Sequence, residues 1–372
     1  MPSKSKFMAR RAPFFEAGFS LIEIMVGLVI GLLATLVITQ VFSIFEGQKR
    51  STMGSADAQT NGNIALFNIQ RDVQMAGYGL SLFDTVNPPL KCDPSPTISD
   101  ALTGNNPVDI FPIRIVDGGA AAGASDSIYV RYGATLMGGV AVKVLGLPGG
   151  NVAVDTNLGC RFNDVALISN GATCALKRVT STNADLAATT TTIALNNITG
   201  LSAASGTKVA CLGGWTERQY SINNHQLMKY TLGDVAGNTA IVPEIVNIQA
   251  QYGISATATS NVVTSWVNAT GGWAAPTVAD RNRIKAIRVA VVARNGLLEK
   301  LDQPAVTKAC FSTTAVLPPD AGLCAWEGTA ASPAPAISLL SDDAQHPWNW
   351  YRYRVFETII PLRNMIWSGN TL

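Results

Sequence analysis

The sequence predicts an α+β protein in which one long N-terminal helix packs on an antiparallel, β-rich globular head. Three observations carry this prediction. Between Phe19 and Phe45 the chain is almost entirely apolar, small or hydroxylated, and it carries one formal charge, on a glutamate. A segment with helical spacing of apolar residues follows, and many short alternating segments separated by turn residues come after it. The expected boundaries are a leader at 1–18, a helix at 19–78 and a head at 79–372.

The apolar run at 19–45 is long enough to cross a membrane. Its 27 residues would rise about 40 Å as a helix, and a bilayer core is about 30 Å thick. A removed signal peptide has a shorter apolar core and a small-x-small cleavage site, which is not found here. Lys4, Lys6, Arg10 and Arg11 precede the run, so the positive-inside rule places the N-terminus in the cytoplasm and the head in the periplasm.

Glu23 is the one carboxylate in the run, and an ionisable residue in a membrane span is a functional candidate. After the pair Arg10-Arg11, residues 18–23 (GFSLIE) resemble the N-terminus of a type IV prepilin. The resemblance implies that prepilin peptidase cuts between Gly18 and Phe19, and that Phe19 is then N-methylated. It also implies that Glu23 pairs with the terminal amine of a neighbouring subunit during assembly. The alternative is a glutamate that reaches the membrane edge and has no such role.

Gly27 and Gly31 form a G-x-x-x-G pattern within the same run. This spacing allows two helices to approach closely. In a pilin-like helix the same glycines could also let the segment unwind within a filament. Chance occurrence in a helix that tolerates glycine is the alternative.

The second half of the helix is expected to be amphipathic. Apolar residues recur there at helical spacing, at Leu66, Ile69, Val73 and Ala76. Gly77 is expected to end the helix in a left-handed conformation, and Gly54 and Gly62 predict a break between residues 54 and 63. The segment 68–79 (NIQRDVQMAGYG) resembles the end of this helix in the PilW family of minor pilins.

Short alternating segments bounded by glycine, proline and asparagine predict the strands of the head. The expected strands are 108–116, 127–132, 140–147, 164–169, 174–180, 191–198, 208–212, 217–222, 226–231, 241–254, 284–294 and 351–363. The last three also resemble segments of PilW-type proteins. The head could divide into two lobes, 79–215 and 216–372.

Six cysteines follow the apolar run, at Cys92, Cys160, Cys174, Cys211, Cys310 and Cys324. An even number of cysteines in an exported chain predicts disulfides. Cys160–Cys174 and Cys310–Cys324 are favoured because each pair would close a short loop. By exclusion, Cys92 would then pair with Cys211. This set is one of many possible connectivities. Zinc is less favoured, because the two histidines, His225 and His346, lie far apart in the sequence.

Composition and motifs argue against several functional classes. Charged residues make up 14% of the chain and the net charge is +2, so direct nucleic-acid binding has no electrostatic basis. The common nucleotide-binding, metalloprotease and hydrolase motifs are absent. We therefore expect no enzyme activity, no metal and no cofactor.

Six tryptophans lie in the last third of the chain, at Trp266, Trp273, Trp326, Trp348, Trp350 and Trp367. Aromatic side chains in loops can bind sugars or proteins. More commonly they cover a hydrophobic core beneath long loops.

The resemblance to PilW-type minor pilins implies a protein of the inner membrane, and then of the pilus. It would join or prime the type IV pilus and support twitching motility and adhesion. The implied partners are other minor pilins and the major pilin, prepilin peptidase and the inner-membrane assembly platform, with a tip adhesin as a further option. Three alternatives remain: a J-type pseudopilin of type II secretion, an adhesin or sugar-binding head on a pilin stalk, and an ordinary anchored enzyme.

Overall fold

A computed structural model describes the protein. The described residues are 20–80, 110–135, 139–169, 174–196, 206–232, 237–298, 323–326, 334–343 and 345–367. The chain forms two compact units, Met1–Met53 and Gly54–Leu372. The predicted leader, with Gly18 and Phe19, lies outside the described residues, as do Cys92 and Cys310.

A single helix, α1, runs from Leu21 to Met75. The predicted break between residues 54 and 63 is wrong, because α1 continues through both glycines. Gly54 and Gly62 are buried. A Cβ atom on Gly54 would overlap the side chain of Asn295, and one on Gly62 would overlap the ring of Phe356. The glycines therefore allow the helix to approach the head closely.

The end of α1 follows the prediction. Gly77 has a φ of +77°, the left-handed conformation that a glycine adopts after a helix. The amide of Asn364 donates to the carbonyl oxygen of Ala76 at 3.1 Å, which satisfies a carbonyl at the end of the helix. Ile69 and Val73 are fully buried, so the predicted apolar stripe packs into the core.

A five-stranded antiparallel sheet has the order β1-β2-β9-β10-β11. Its strands are β1 (Ile113–Val116), β2 (Ser127–Gly133), β9 (Trp215–Asn223), β10 (Gln226–Thr231) and β11 (Asn238–Pro243). β2 pairs with β9 directly, up to the pair Gly133–Trp215. The sheet therefore contains strands from both sides of residue 215. The boundary between the suggested lobes 79–215 and 216–372 falls inside this sheet.

A six-stranded sheet is built entirely from the chain between β2 and β9, in the order β6-β5-β8-β3-β4-β7. Its strands are β3 (Ala141–Gly146), β4 (Asn151–Val154), β5 (Val165–Ser169), β6 (Cys174–Arg178), β7 (Thr192–Ala194) and β8 (Lys208–Cys211), with the short helix α2 (Asn183–Ala188). One face packs on its own apolar cluster, which includes Val152, Ile168 and Val209. Leu167 and Leu176 face the main core instead.

A disulfide joins Cys160 to Cys211. The predicted pairs Cys160–Cys174 and Cys92–Cys211 are therefore wrong. β5 and β8 are neighbours, with Ala166 opposite Cys211, so the sheet brings together two cysteines that are far apart in sequence. Cys324 also forms a disulfide, and its predicted pairing with Cys310 stays a prediction.

A four-stranded antiparallel sheet has the order β13-β12-β14-β17. Its strands are β12 (Ile245–Ser255), β13 (Val263–Val267), β14 (Ile284–Arg294) and β17 (Tyr353–Pro361). The predicted strand 241–254 is two strands, because the chain turns at Glu244, where φ is +55°.

A two-stranded ladder joins β15 (Leu323–Cys324) to β16 (Ala336–Ile337). Two further short helices are α3 (Val278–Arg281) and α4 (Arg363–Trp367).

The main core lies between α1 and the sheets. It includes Ile69 and Val73 of α1, Ile128 of β2, Ile248 of β12 and Ile287 of β14. β14 is buried at ten of its eleven positions, as expected of a central strand with neighbours on both sides. A second cluster covers the other face of the four-stranded sheet and includes Val292 and Trp326.

Candidate functional site

The first half of α1 is the most prominent surface feature of the protein. Among the described residues, α1 is the one helix long and apolar enough to cross a membrane, and its most apolar window is entirely unburied. The large apolar side chains from Leu21 to Phe45 are exposed on all sides. Apolar surface of this extent is unfavourable in water, so this segment needs lipid or other apolar helices around it.

Glu23 lies in the first turn of α1 and forms a capping box with Ser20. The Glu23 carboxylate accepts a hydrogen bond from the backbone N–H of Ser20 at 3.0 Å, and the Ser20 hydroxyl oxygen accepts one from the backbone N–H of Glu23 at 3.2 Å. These bonds satisfy donors that would otherwise be unpaired at the helix start, and the helix dipole favours a carboxylate there. The predicted pairing of Glu23 with an amine at Phe19 involves a residue outside the described chain.

Gly27 and Gly31 leave open space on α1, since a Cβ atom at either position would meet nothing within 4 Å. Their predicted role in helix packing stays a prediction. The hydroxyls of Thr35 and Thr39 donate to the carbonyls of Leu32 and Leu36 at 2.9 Å. The helix therefore satisfies these two hydroxyls within itself, as a membrane environment requires.

A buried polar network fastens the second half of α1 to the five-stranded sheet. Asp72 is 2% exposed, and one carboxylate oxygen binds Nη1 of Arg218 at 2.6 Å. The other oxygen accepts a short hydrogen bond from the hydroxyl of Tyr220. Burial and the neighbouring Asp72 charge raise the pKa of Tyr220 above its ordinary value, so the tyrosine stays a hydrogen-bond donor. Sequence reasoning missed this network, because its members are about 150 residues apart.

A second polar cluster joins the end of β14, the turns at residues 225 and 244, and the segment 334–343. Arg294 is almost fully buried and binds Glu244 at 2.8 Å and Asp342 at 2.9 Å. Nε2 of His225 lies 3.2 Å from Asp342. Asn224, His225 and Glu244 all have positive φ, which non-glycine residues rarely adopt. The cluster holds the segment 334–343 to the end of β14.

The tryptophans divide between the two cores and the surface. Trp326 is 1% exposed within the second core, and Trp348 packs against that core. Trp273 packs against the main core. The guanidinium of Arg288 lies 4.7 Å from the ring centroid of Trp266 and 5.1 Å from that of Trp326. Most described tryptophans therefore cover a core, and the side chain of Trp367 lies outside the described residues.

Asp126 is a buried carboxylate that joins the loop 117–126 to β12. Its two oxygens accept hydrogen bonds from the backbone N–H groups of Gly118 at 2.9 Å and Ala250 at 2.8 Å. Burial raises the pKa of Asp126 to about 6, against its ordinary value of 3.8. In the unfolded chain the carboxyl is exposed and titrates at the ordinary value.

We expect Asp126 to make the head less stable as the pH rises from about 4 to about 6. In this interval the folded chain binds more protons than the unfolded chain at this position, so the free energy of unfolding decreases with pH. Denaturant unfolding of the full chain in detergent micelles, followed between pH 4 and pH 7, measures the slope. Asp126→Asn is the control because it cannot titrate. Identical pH profiles for the two proteins would contradict the prediction.

Comparison with known proteins finds a family model that matches part of the chain. Residues 216–364 match the model of the family described as PilW, Type IV Pilus-assembly protein W. This segment, less than half of the chain, is similar to the PilW family. The chain matches no curated protein and no solved structure.

The match supports involvement of the protein in type IV pilus assembly. The matched residues run from β9 to α4 and contain the whole four-stranded sheet. Together with the apolar part of α1, the match fits a membrane-anchored protein. The prepilin motif at residues 18–23 lies outside the matched segment, so cleavage at Gly18 and methylation of Phe19 stay predictions.

Proposed function

We propose that this protein is a minor pilin similar to those of the PilW family, which joins or primes the type IV pilus through α1 and supports twitching motility and adhesion. The observation that carries the proposal is the fully exposed apolar segment of α1 between Leu21 and Phe45. Before assembly the bilayer surrounds this segment. In a pilus, the apolar helices of neighbouring subunits replace the lipid, so the same surface serves both as anchor and as interface.

Processing at the N-terminus would prepare the helix for assembly. Prepilin peptidase would cut between Gly18 and Phe19, and the new amine would be N-methylated. Glu23 would then lie one helical turn from that amine and pair with the amine of a neighbouring subunit. The exposed position of the Glu23 carboxylate at the first turn supports this role.

The size of the head supports a low copy number. Residues 54–372 form one compact unit with three larger sheets, and such a bulky head would resist dense helical packing along a pilus shaft. We place the protein at or near the tip, with the head on the periplasmic side before assembly. It would act as a structural subunit with other minor pilins and the major pilin, and would have no enzyme activity.

Deletion of the gene tests the proposal. We expect surface pili, measured as sheared major pilin, to be lost while secreted exoenzymes stay at normal levels. The wild-type gene should restore pili, whereas Gly18→Val should not, because the β-branched side chain blocks cleavage. Glu23→Ala should also fail. Glu46→Ala is its matched control, since Glu46 lies in the same helix and pairs with Arg50 of its own chain.

Other outcomes would overturn the proposal. Normal pili with failed secretion would identify a J-type pseudopilin of type II secretion. An intact leader in cells that contain prepilin peptidase would identify an ordinary anchored protein.

A further inference from the structure

A cavity of about 510 Å³ lies on the face of the four-stranded sheet away from α1. Its walls come from three separate parts of the chain: the loop 117–124, the strand β12 with the residues after β13, and the segment 334–338. This volume is typical of small-molecule sites. All three walls belong to the unit Gly54–Leu372.

The lining of the cavity combines polar and apolar groups and carries one formal charge. Its polar members are two amides, two hydroxyls and one carboxylate, from Gln249, Asn268, Thr270, Ser338 and Asp117. The other lining residues are mainly alanines. Among the described residues that line the cavity, none is lysine, arginine or histidine. The site therefore lacks the positive charge that a phosphate or carboxylate ligand requires.

Backbone and side-chain hydrogen bonds hold the walls in place. The N–H of Gly123 donates to the carbonyl of Ser338 at 2.8 Å and joins the loop 117–124 to the opposite wall. The amide of Asn247 donates to the carbonyl of Ala124 at 2.6 Å. A site held in this way loses little conformational entropy when a ligand binds.

The amides on β12 are only partly used by the protein. Nε2 of Gln249 donates to Asn247 at 3.0 Å, and Nε2 of Gln251 donates to Oδ1 of Asn268 at 2.7 Å. Gln251 is 5% exposed, and its Oε1 has no hydrogen-bond partner. A buried acceptor without a partner is unfavourable. Gln251 does not itself line the cavity and touches it through Asn268, which does.

We propose that this cavity is a binding site for a neutral carbohydrate. Sugar hydroxyls both donate and accept hydrogen bonds, so they match a lining of amides, hydroxyls and one carboxylate. The alanines and Pro335 can contact the apolar C–H face of a sugar ring. The site is separate from the helix that serves assembly, and it gives the head a function of its own. Among the described residues that line it there is no tryptophan, so it differs from a sugar site built on the tryptophan-rich loops.

Binding of neutral sugars to the purified full chain tests the proposal. The chain is kept in a detergent without a sugar headgroup and is titrated with glucose, galactose, mannose, N-acetylglucosamine and lactose. Saturation-transfer NMR detects weak binding. We expect at least one sugar to bind saturably, and Asn268→Ala to weaken it about tenfold through the loss of a hydrogen bond. Asn261→Ala is the matched control, because this asparagine is exposed on the same hairpin outside the cavity.

A second variant keeps the test independent of any one hydrogen bond. Ala121→Trp should fill the cavity and abolish binding, whereas Ala187→Trp on the exposed face of α2 should leave it unchanged. Near-UV circular dichroism checks that each variant is folded. The proposal is overturned if none of the five sugars binds, if binding persists in both cavity variants, or if only a peptide or an anionic sugar binds.

Discussion

Asp72→Ala is expected to lower the free energy of unfolding of the head by about 3–5 kcal/mol, the usual effect of removing one partner from a buried ion pair. Arg218 and Tyr220 would both lose the carboxylate that they bind. Nε of Arg218 already lacks a hydrogen-bond partner, so the guanidinium would keep only its contact with the Tyr132 ring and its partial exposure to water. Denaturant unfolding of the full chain in micelles, followed by near-UV circular dichroism, measures the change.

The control for this prediction is Asp57→Ala. Asp57 is on the same helix but exposed, so its loss should change stability by no more than about 0.5 kcal/mol. Tyr220→Phe removes one hydrogen bond and keeps the ion pair, and it should cost about 1 kcal/mol. Equal effects of Asp72→Ala and Asp57→Ala would show that the network does not stabilise the junction between α1 and the sheet.

Gly62→Ala is expected to destabilise the head by about 1–3 kcal/mol, the usual cost of overpacking. An alanine normally stabilises a helix relative to glycine. Here the added methyl group would overlap the ring of Phe356 on β17, so either the ring or the helix has to move. The same unfolding measurement tests this prediction.

Gly47→Ala is the matched control, because it makes the same chemical change in the same helix where the Cβ atom meets nothing within 4 Å. It should be neutral or slightly stabilising. The double variant Gly62→Ala, Phe356→Ala should be less destabilised than the sum of the two single variants, since removing the ring makes room for the methyl group. Additive effects would show that the overlap is not the cause.

Local patterns in the sequence were sufficient to predict most elements of the fold. The apolar run, the stripe through Ile69 and Val73 and the cap at Gly77 are all properties of neighbouring residues. Most strands of the head were also placed within a few residues of their observed bounds. The glycines at 54 and 62 were misinterpreted because helix propensity takes no account of the side chain that lies opposite.

Features that depend on distant residues could not be predicted. The Cys160–Cys211 disulfide follows from the pairing of β5 with β8, which no loop length indicates. The Asp72 network and the polar cavity likewise join segments that are far apart in the sequence. The residues proposed for assembly, Glu23 above all, were recognised because their motif is contiguous. The cavity residues Gln249 and Asn268 have no such motif.

The pairing of Gly133 with Trp215 means that the chain leaves the five-stranded sheet and returns to it at the same place. In topological terms, β2 and β9 are the two strands of a hairpin, and the connection between them forms a separate six-stranded sheet. Lengthening a surface turn costs little free energy, and this connection also contributes to the head, because Leu167 and Leu176 of the six-stranded sheet lie in the main core. The PilW match begins at residue 216, where the chain has just returned. The head thus combines the segment that matches the family model with a sheet inserted between two paired strands.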